Sequence, residues 1–225
     1  MCGFVLVVAC GGEAQTATPH ATTPATLAPT RRPVIIPTTP AGWVPYSRAT
    51  YQIALPDSWQ EIKLTDAELK SAINSAQESN PPLAEQLRVL LESGQYKAFV
   101  FYAFDQSGAG LRNVSLARTS LEGTNDLPAY ARAYVDTLPN VMRGAKVVEA
   151  QTSVKINGIQ AASVVYDVPL VDRAGALITL RGVQFLYLLE SGDAYLVTVT
   201  GNASDAEKFM PLARQIGTSF VGVTP

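Results

Sequence analysis

Two cysteines and a single histidine are all that the chain offers for nucleophilic or soft-metal chemistry, and Cys2, Cys10 and His20 all lie at its start. Ser–His–Asp and Cys–His catalysis each need an imidazole as general base, and His20 sits in a Thr/Pro tract with nothing to hold it. Those mechanisms are excluded, as are zinc sites built on His or Cys. A Ser–Lys dyad, a carboxylate pair or an oxygen-ligand cation site remains. Ser153 and Lys155 stand two apart on a predicted strand and share a face. A dyad needs a buried lysine of lowered pKa, and nothing around Lys155 predicts burial. Asp167 and Asp172 flank Val168 to Val171, with Arg173 and Gly175 beyond. Clustered oxygens suit a hard cation, but this stretch reads as an exposed polar loop, and Asp193 in Ser191-Gly192-Asp193 as a turn residue.

Arg112 and Arg118 share a strand face with Val114 and Leu116, while Arg181 belongs to another strand. Together they form either an anion-binding patch or, the commoner case, solvated charges at a sheet edge. Tyr96, Tyr102, Tyr130, Tyr134, Tyr166, Tyr187 and Tyr195 supply rigid contact area with a polar tip. That suits binding surfaces, and equally the edges of a sheet–helix core, where most of them are placed. Asn113-Val114-Ser115 and Asn202-Ala203-Ser204 match the N-glycosylation pattern and are set aside for the bacterial context argued below. No catalytic, metal-binding or cofactor-binding residue is assigned, no cofactor is expected, and the binding residues are left open.

Hydrophobic residues make up 47% of the 225 and charged residues only 16%, so one sizeable core is possible beneath a sparsely charged surface. The 17 basic and 19 acidic side chains are interspersed, for a net charge of −2. No block of like charge marks a nucleic-acid or anionic-membrane footprint.

The elements that must position these residues begin near Trp43. "YSRATYQIALPDSWQEI" alternates Tyr51, Ile53 and Leu55 toward one face, turns at Pro56-Asp57-Ser58 and resumes at Trp59. Thr65 to Glu68 is a capping box before Leu69, Ile73 and Ala76. Asn80-Pro81-Pro82 starts a second helix, stopped by Gly94. "YKAFVFYAF" predicts a strand covered on both faces, and "LRNVSLARTSL" another after the turn Gln106 to Gly110. A helix follows from Asn125 or Asp126, with Pro128 in its first turn and a seam of Leu127, Ala131 and Val135. Three long strands then run to Glu190, the first two joined at Asn157-Gly158. After "AYLVTVT", a second capping box at Ser204 to Glu207 opens a last helix with Phe209, Leu212, Ala213 and Ile216 inward and a kink at Pro211.

Helices grouped around hairpin-connected strands predict an α+β domain: an antiparallel sheet with helices packed on its faces. The element order resembles the PsbP-like fold, an α/β/α sandwich, with Leu55-Pro56, Trp59 and Ser219-Phe220 as local signs. PsbP is an extrinsic subunit of photosystem II, and bacterial lipoproteins share its fold. The resemblance spans about Tyr46 to Val221 and implies fold rather than function. Histidines that bind metal in photosynthetic members have no counterpart here.

The start "MCGFVLVVACGG" bears on function more than the rest. Its apolar run is too short for the ~20 residues of a spanning helix but suits a signal-peptide core. Val7-Val8-Ala9-Cys10 resembles the lipobox of bacterial lipoproteins, in which the cysteine is lipidated. No Lys or Arg precedes the run, so the true start is expected upstream. Three segments follow: 1–10, a signal peptide ending at lipidated Cys10; 11–42, a Thr/Pro-rich flexible linker; and 43–225, a PsbP-like domain. The expectation is a lipid-anchored, non-enzymatic binding or accessory module on the extracytoplasmic side of a bacterial cell membrane, docking on an envelope protein assembly. A carboxylate-dependent hydrolase of the envelope and a solute-binding lipoprotein are the alternatives.

Overall fold

A computed structural model describes residues 37–107, 111–121, 126–171 and 175–223. The readings on Cys2, Cys10, His20, Asp172, Arg173 and most of the linker lie outside these residues.

The domain opens with antiparallel β1 (Trp43–Ser47) and β2 (Tyr51–Pro56). Tyr51, Ile53 and Leu55 are buried, as their alternation predicts. The hairpin expected across Pro56-Asp57-Ser58 does not form. Both edges of β2 are already taken, by β1 and by the terminal strand Val221–Gly222, so the chain crosses to a second sheet. There β3 (Trp59–Glu61) pairs with Ala103 to Asp105.

α1 (Asp66–Ser79) starts where the Thr65 hydroxyl accepts the Glu68 N–H at 3.3 Å. α2 (Pro81–Ser93) starts where Asn80 Oδ1 accepts the Leu83 N–H at 3.3 Å. It ends at Gly94, whose φ of 69° favours glycine. β4 (Phe99–Asp105) and β5 (Asn113–Ser120) follow a 3₁₀ turn, Gln95–Ala98. Asp126 caps α3 (Leu127–Val141) by accepting the Ala129 N–H at 2.9 Å. β6 (Lys146–Ile156) and β7 (Ile159–Val171) meet across Asn157-Gly158, both with positive φ (53° and 81°), the pairing a two-residue hairpin requires. β8 (Leu177–Leu188) and β9 (Asp193–Asn202) turn at Ser191-Gly192-Asp193. The second capping box is absent: residues 203–205 form a 3₁₀ turn, and α4 (Ala206–Thr218) starts without a side-chain cap. The Ser204 N–H is instead accepted by Asn202 Oδ1, which removes it from the start of α4. The last strand is β10 (Val221–Gly222).

The main sheet is antiparallel, in the order β3-β4-β5-β9-β8-β7-β6. One face carries Val114, Leu116, Val197, Val199, Val183 and Phe185, covered by α4 and by the small sheet β1-β2-β10. The opposite face is covered in two blocks. α1 and α2 pack on Tyr102 and Phe104 at one flank, and α3 on Ala162, Val164 and Tyr166 at the other. The expected α+β architecture, an antiparallel sheet with helices on its faces, is the one observed.

Most of the tyrosines are core, as expected. Tyr187 donates to the Gly217 carbonyl at 2.7 Å, and Tyr195 to Thr50 Oγ1 at 2.8 Å. Burial pushes Tyr51 up to about 12, and raises Tyr102, Tyr166 and Tyr187 further. A phenol whose pKa is raised by folding keeps its proton longer in the native state, so stability holds below the unfolded value of ~10 and falls as pH rises from there. Stability in urea is therefore expected to be level to about pH 9.5 and to drop between about pH 10 and 12. These buried tyrosines should ionise only together with unfolding; ionisation of all nine tyrosines in a still-folded chain would contradict this.

Candidate binding cleft

Because the helical blocks sit at the two flanks, the middle of that second face, over β5 and β9, is left to side chains alone. Small and polar residues occupy it. Ser115, opposite Thr198, lies in one row across the strands with Gln184. Alternation sends Val114, Leu116, Val197 and Val199 to the other face. The same alternation that builds one core thus leaves a shallow, partly polar floor behind it.

On this floor, against α3, lies a cleft of ≈ 250 Å³. Ala117, Leu196 and Gln184 line its base, and Tyr130, Ala131 and Tyr134 its helical wall. Alanines at 117 and 131 hold the space open: larger side chains there would fill it. Gln184 is buried and carries the cleft's polarity. Its Oε1 accepts from the Tyr134 hydroxyl at 2.6 Å, and its Nε2 donates to Thr198 Oγ1 at 3.1 Å. Burial raises the Tyr134 pKa, so the hydroxyl keeps its proton and its donor role. Removing that hydroxyl strands a buried acceptor. Tyr134→Phe is expected to cost about 1–2 kcal/mol in urea unfolding, and Tyr134→Phe with Gln184→Leu less than the single change. A double mutant that is worse would mean that the amide is satisfied elsewhere.

The volume decides what the cleft can take. Pockets for drug-sized ligands run from about 300 to 1,000 Å³, whereas a dry cavity of about 150 Å³ takes one benzene. This cleft therefore suits a single ring or branched side chain, with a carboxamide and two tyrosines beside it.

The other residues singled out from sequence do not converge. Both oxygens of Asp167 accept from Arg181, at 2.8 and 2.7 Å, so this carboxylate is already committed, while Asp172 lies outside the described residues. Arg118 pairs with Asp193 at 2.6 Å. Arg112 lies 3.6 Å from Asp105 and also pairs with Asp205. Each arginine has its own carboxylate, so the three make no anion-binding patch. Ser153 and Lys155 are exposed on the edge strand β6. Among the described residues, no three His, Cys, Asp or Glu side chains are grouped closely enough for a metal, and no helix is long and apolar enough to cross a membrane.

Sequence reasoning named Tyr130 and Tyr134 among the tyrosines suited to contact but missed Gln184, Thr198 and Ala117. The signal was present in "NVSLARTS" and "YLVTVT", where aliphatics alternate with Ser, Ala and Thr instead of with charges.

No family model matches the chain, and no curated protein matches it. Among solved structures it is similar to the PsbP protein CyanoP of Synechocystis sp. PCC 6803, at 12% identity and a TM-score of 0.52, over 83% of this chain and 95% of that one. It is also similar to LpqN of Mycobacterium tuberculosis, involved in cell envelope biogenesis, at 10% identity and TM-score 0.45, over 81% and 91%. The Saccharomyces cerevisiae Ran-binding protein Mog1p gives 8% and 0.44, over 76% and 88%. At these identities the likeness concerns fold alone. The chain has a PsbP-like fold, as the element order implied.

Proposed function

We propose that the protein is a non-enzymatic binding module, held by lipidated Cys10 on the extracytoplasmic face of a bacterial membrane, that docks on an envelope protein assembly. One observation carries the docking part: a cleft sized for a single side chain, with a buried amide at its base. Anchor residues of protein partners seat in such pockets. This cleft is too small for the solute-binding alternative, whose whole ligand would need room such as the open groove of ≈ 820 Å³ lined by Ile62, Ser71, Ser75, Leu83 and Phe104. The hydrolase alternative has less support. Asp105 and Asp205, two carboxylates brought to one place, are bridged by Arg112 rather than left to face each other across a cleft.

The test is surface cross-linking in intact cells, comparing wild type with Cys10→Ser and with Ala117→Phe. Ala117 is half-buried, so a ring there fills the cleft. A partner captured by wild type and lost from both variants supports the reading. Capture unchanged by Ala117→Phe would remove the cleft from it. Membrane partition unchanged by Cys10→Ser would remove the anchor.

A further inference from the structure

We propose that the cleft between β5, β9 and α3 receives a tyrosine side chain presented by the partner protein, its hydroxyl paired with Gln184. Size leaves a single ring or a branched aliphatic group as candidates, and the hydrogen bonding of Gln184 separates them. A carboxamide offers two N–H donors and two acceptor lone pairs. Gln184 uses one of each, accepting from the Tyr134 hydroxyl at 2.6 Å and donating to Thr198 Oγ1 at 3.1 Å. Its side chain makes no other hydrogen bond among the described residues, yet it is only 4% exposed and borders the cleft. One N–H and one lone pair therefore await whatever fills the space. A guest that answers neither strips both of water without return.

A phenol hydroxyl is donor and acceptor in a single group, so it answers both. Distance agrees. Ala117 stands opposite Leu196, and Gln184 stands opposite Thr198, two residues further along β9. Rows two residues apart on one face of a sheet are separated by about 7 Å. A ring over Ala117 and Leu196 crosses that gap with a para-hydroxyl and one hydrogen bond of ~2.8 Å. Tyr130 and Tyr134, one turn apart on α3, form the wall beside such a ring. Aromatic rings gain from one another's edges and faces, which favours an aromatic guest over an aliphatic one.

Other side chains satisfy less of this. Phenylalanine and leucine leave both groups of Gln184 unpaired. An indole N–H is a donor only, so tryptophan leaves the amide N–H unmet. Asparagine and glutamine match the amide but bring no ring to the tyrosine wall. Charged side chains find no counter-ion. Arg118, which also borders the cleft, pairs with Asp193 at 2.6 Å and keeps that side neutral, and an unpaired charge is costly to bury.

This deepens the docking reading and rests on it. The full chain, isotope-labelled for NMR, is titrated with p-cresol and with toluene, the side-chain analogues of tyrosine and phenylalanine. Saturable amide shifts centred on Ala117, Gln184 and Leu196 are expected with p-cresol, at an affinity about tenfold or more above that of toluene. Gln184→Met should abolish that preference, and Ala117→Phe the binding of both probes. The two probes are compared on the unaltered chain, so a variant that fails to fold leaves the test standing. A Gly-Tyr-Gly tripeptide capped at both ends should bind at least as tightly as p-cresol, since a partner presents the ring on a chain. Equal affinity for the two probes, shifts centred elsewhere or no saturation overturns the proposal. A cleft that takes p-cresol and refuses the peptide also overturns it, in favour of a free phenolic ligand. The two readings fail separately. An absent phenol preference leaves cross-linked capture untouched, whereas capture indifferent to Ala117→Phe removes docking whatever p-cresol does.

Discussion

Arg112→Ala is expected to lower the stability of the domain by about 3 kcal/mol, a large part of the ~5–15 kcal/mol that holds a domain together. The side chain of Asp105 is 4% exposed and that of Arg112 13%. The Ser58 hydroxyl donates to Asp105 at 3.1 Å and the Ser107 N–H at 2.9 Å, but neither carries charge. Without the guanidinium, a carboxylate remains in the interior with dipoles alone for company. Asp205, half-buried, also loses its partner. The cost lies in the stranded charge more than in the lost attraction, so removing the charge should relieve it. Arg112→Ala with Asp105→Asn is expected to recover the larger part of the loss in urea titrations. A single variant that loses less than about 1 kcal/mol would show that water reaches Asp105.

Gly217→Ala is the second large effect, and its sign is not obvious from helix chemistry. Gly217 lies inside α4, where alanine is favoured by about 1 kcal/mol. Space decides otherwise. A Cβ there would stand 2.0 Å from Phe185 Cε2 and 2.2 Å from Cδ2. Phe185 is buried and stacks on Tyr187, which itself donates to the Gly217 carbonyl. Packed in the buried core between Tyr187 and α4, the ring has little room to swing away, so overpacking outweighs propensity. A net loss of about 2 kcal/mol or more is expected in thermal and urea unfolding, with Phe185→Leu restoring part of it. A more stable Gly217→Ala would mean that α4 can lift from the sheet at little cost.

The turns were legible because their chemistry is local. Asn157-Gly158, Gly94 and Asn80 each act within a few residues, and each does what its residue types demand. The strand pairing around Pro56 was not legible, because its cause lies far along the chain. Ala54 donates to Ser219 Oγ across 165 positions, and β10 closes the remaining edge of β2. Nothing between Tyr51 and Trp59 records that competition. The failed capping box has a nearer cause, since Asn202 Oδ1 took the Ser204 N–H first. The cleft divides in the same way. Its floor could be read from alternation in β5 and β9, but the Tyr134–Gln184 contact depends on α3 lying across strands placed by the whole sheet. Arg112, Arg118 and Arg181 read from sequence as solvated edge charges, and each proves to be paired with a carboxylate on an adjoining element.

β1 is the least buried of the strands flanking β2, and it is joined to the sheet along one edge only, by pairs running from Trp43↔Pro56 to Ser47↔Gln52. A pull applied through the N-terminal segment meets Trp43↔Pro56 first and would peel the pairs one at a time, rather than shear them all together. The first seam such a pull loads is therefore that of the first strand. Beneath it, β2 stays clamped by β10 and by Ser219. Under load the molecule should lengthen by giving up β1 while the seven-stranded sheet and the cleft keep their shape, so that the first strand serves as a mechanical fuse.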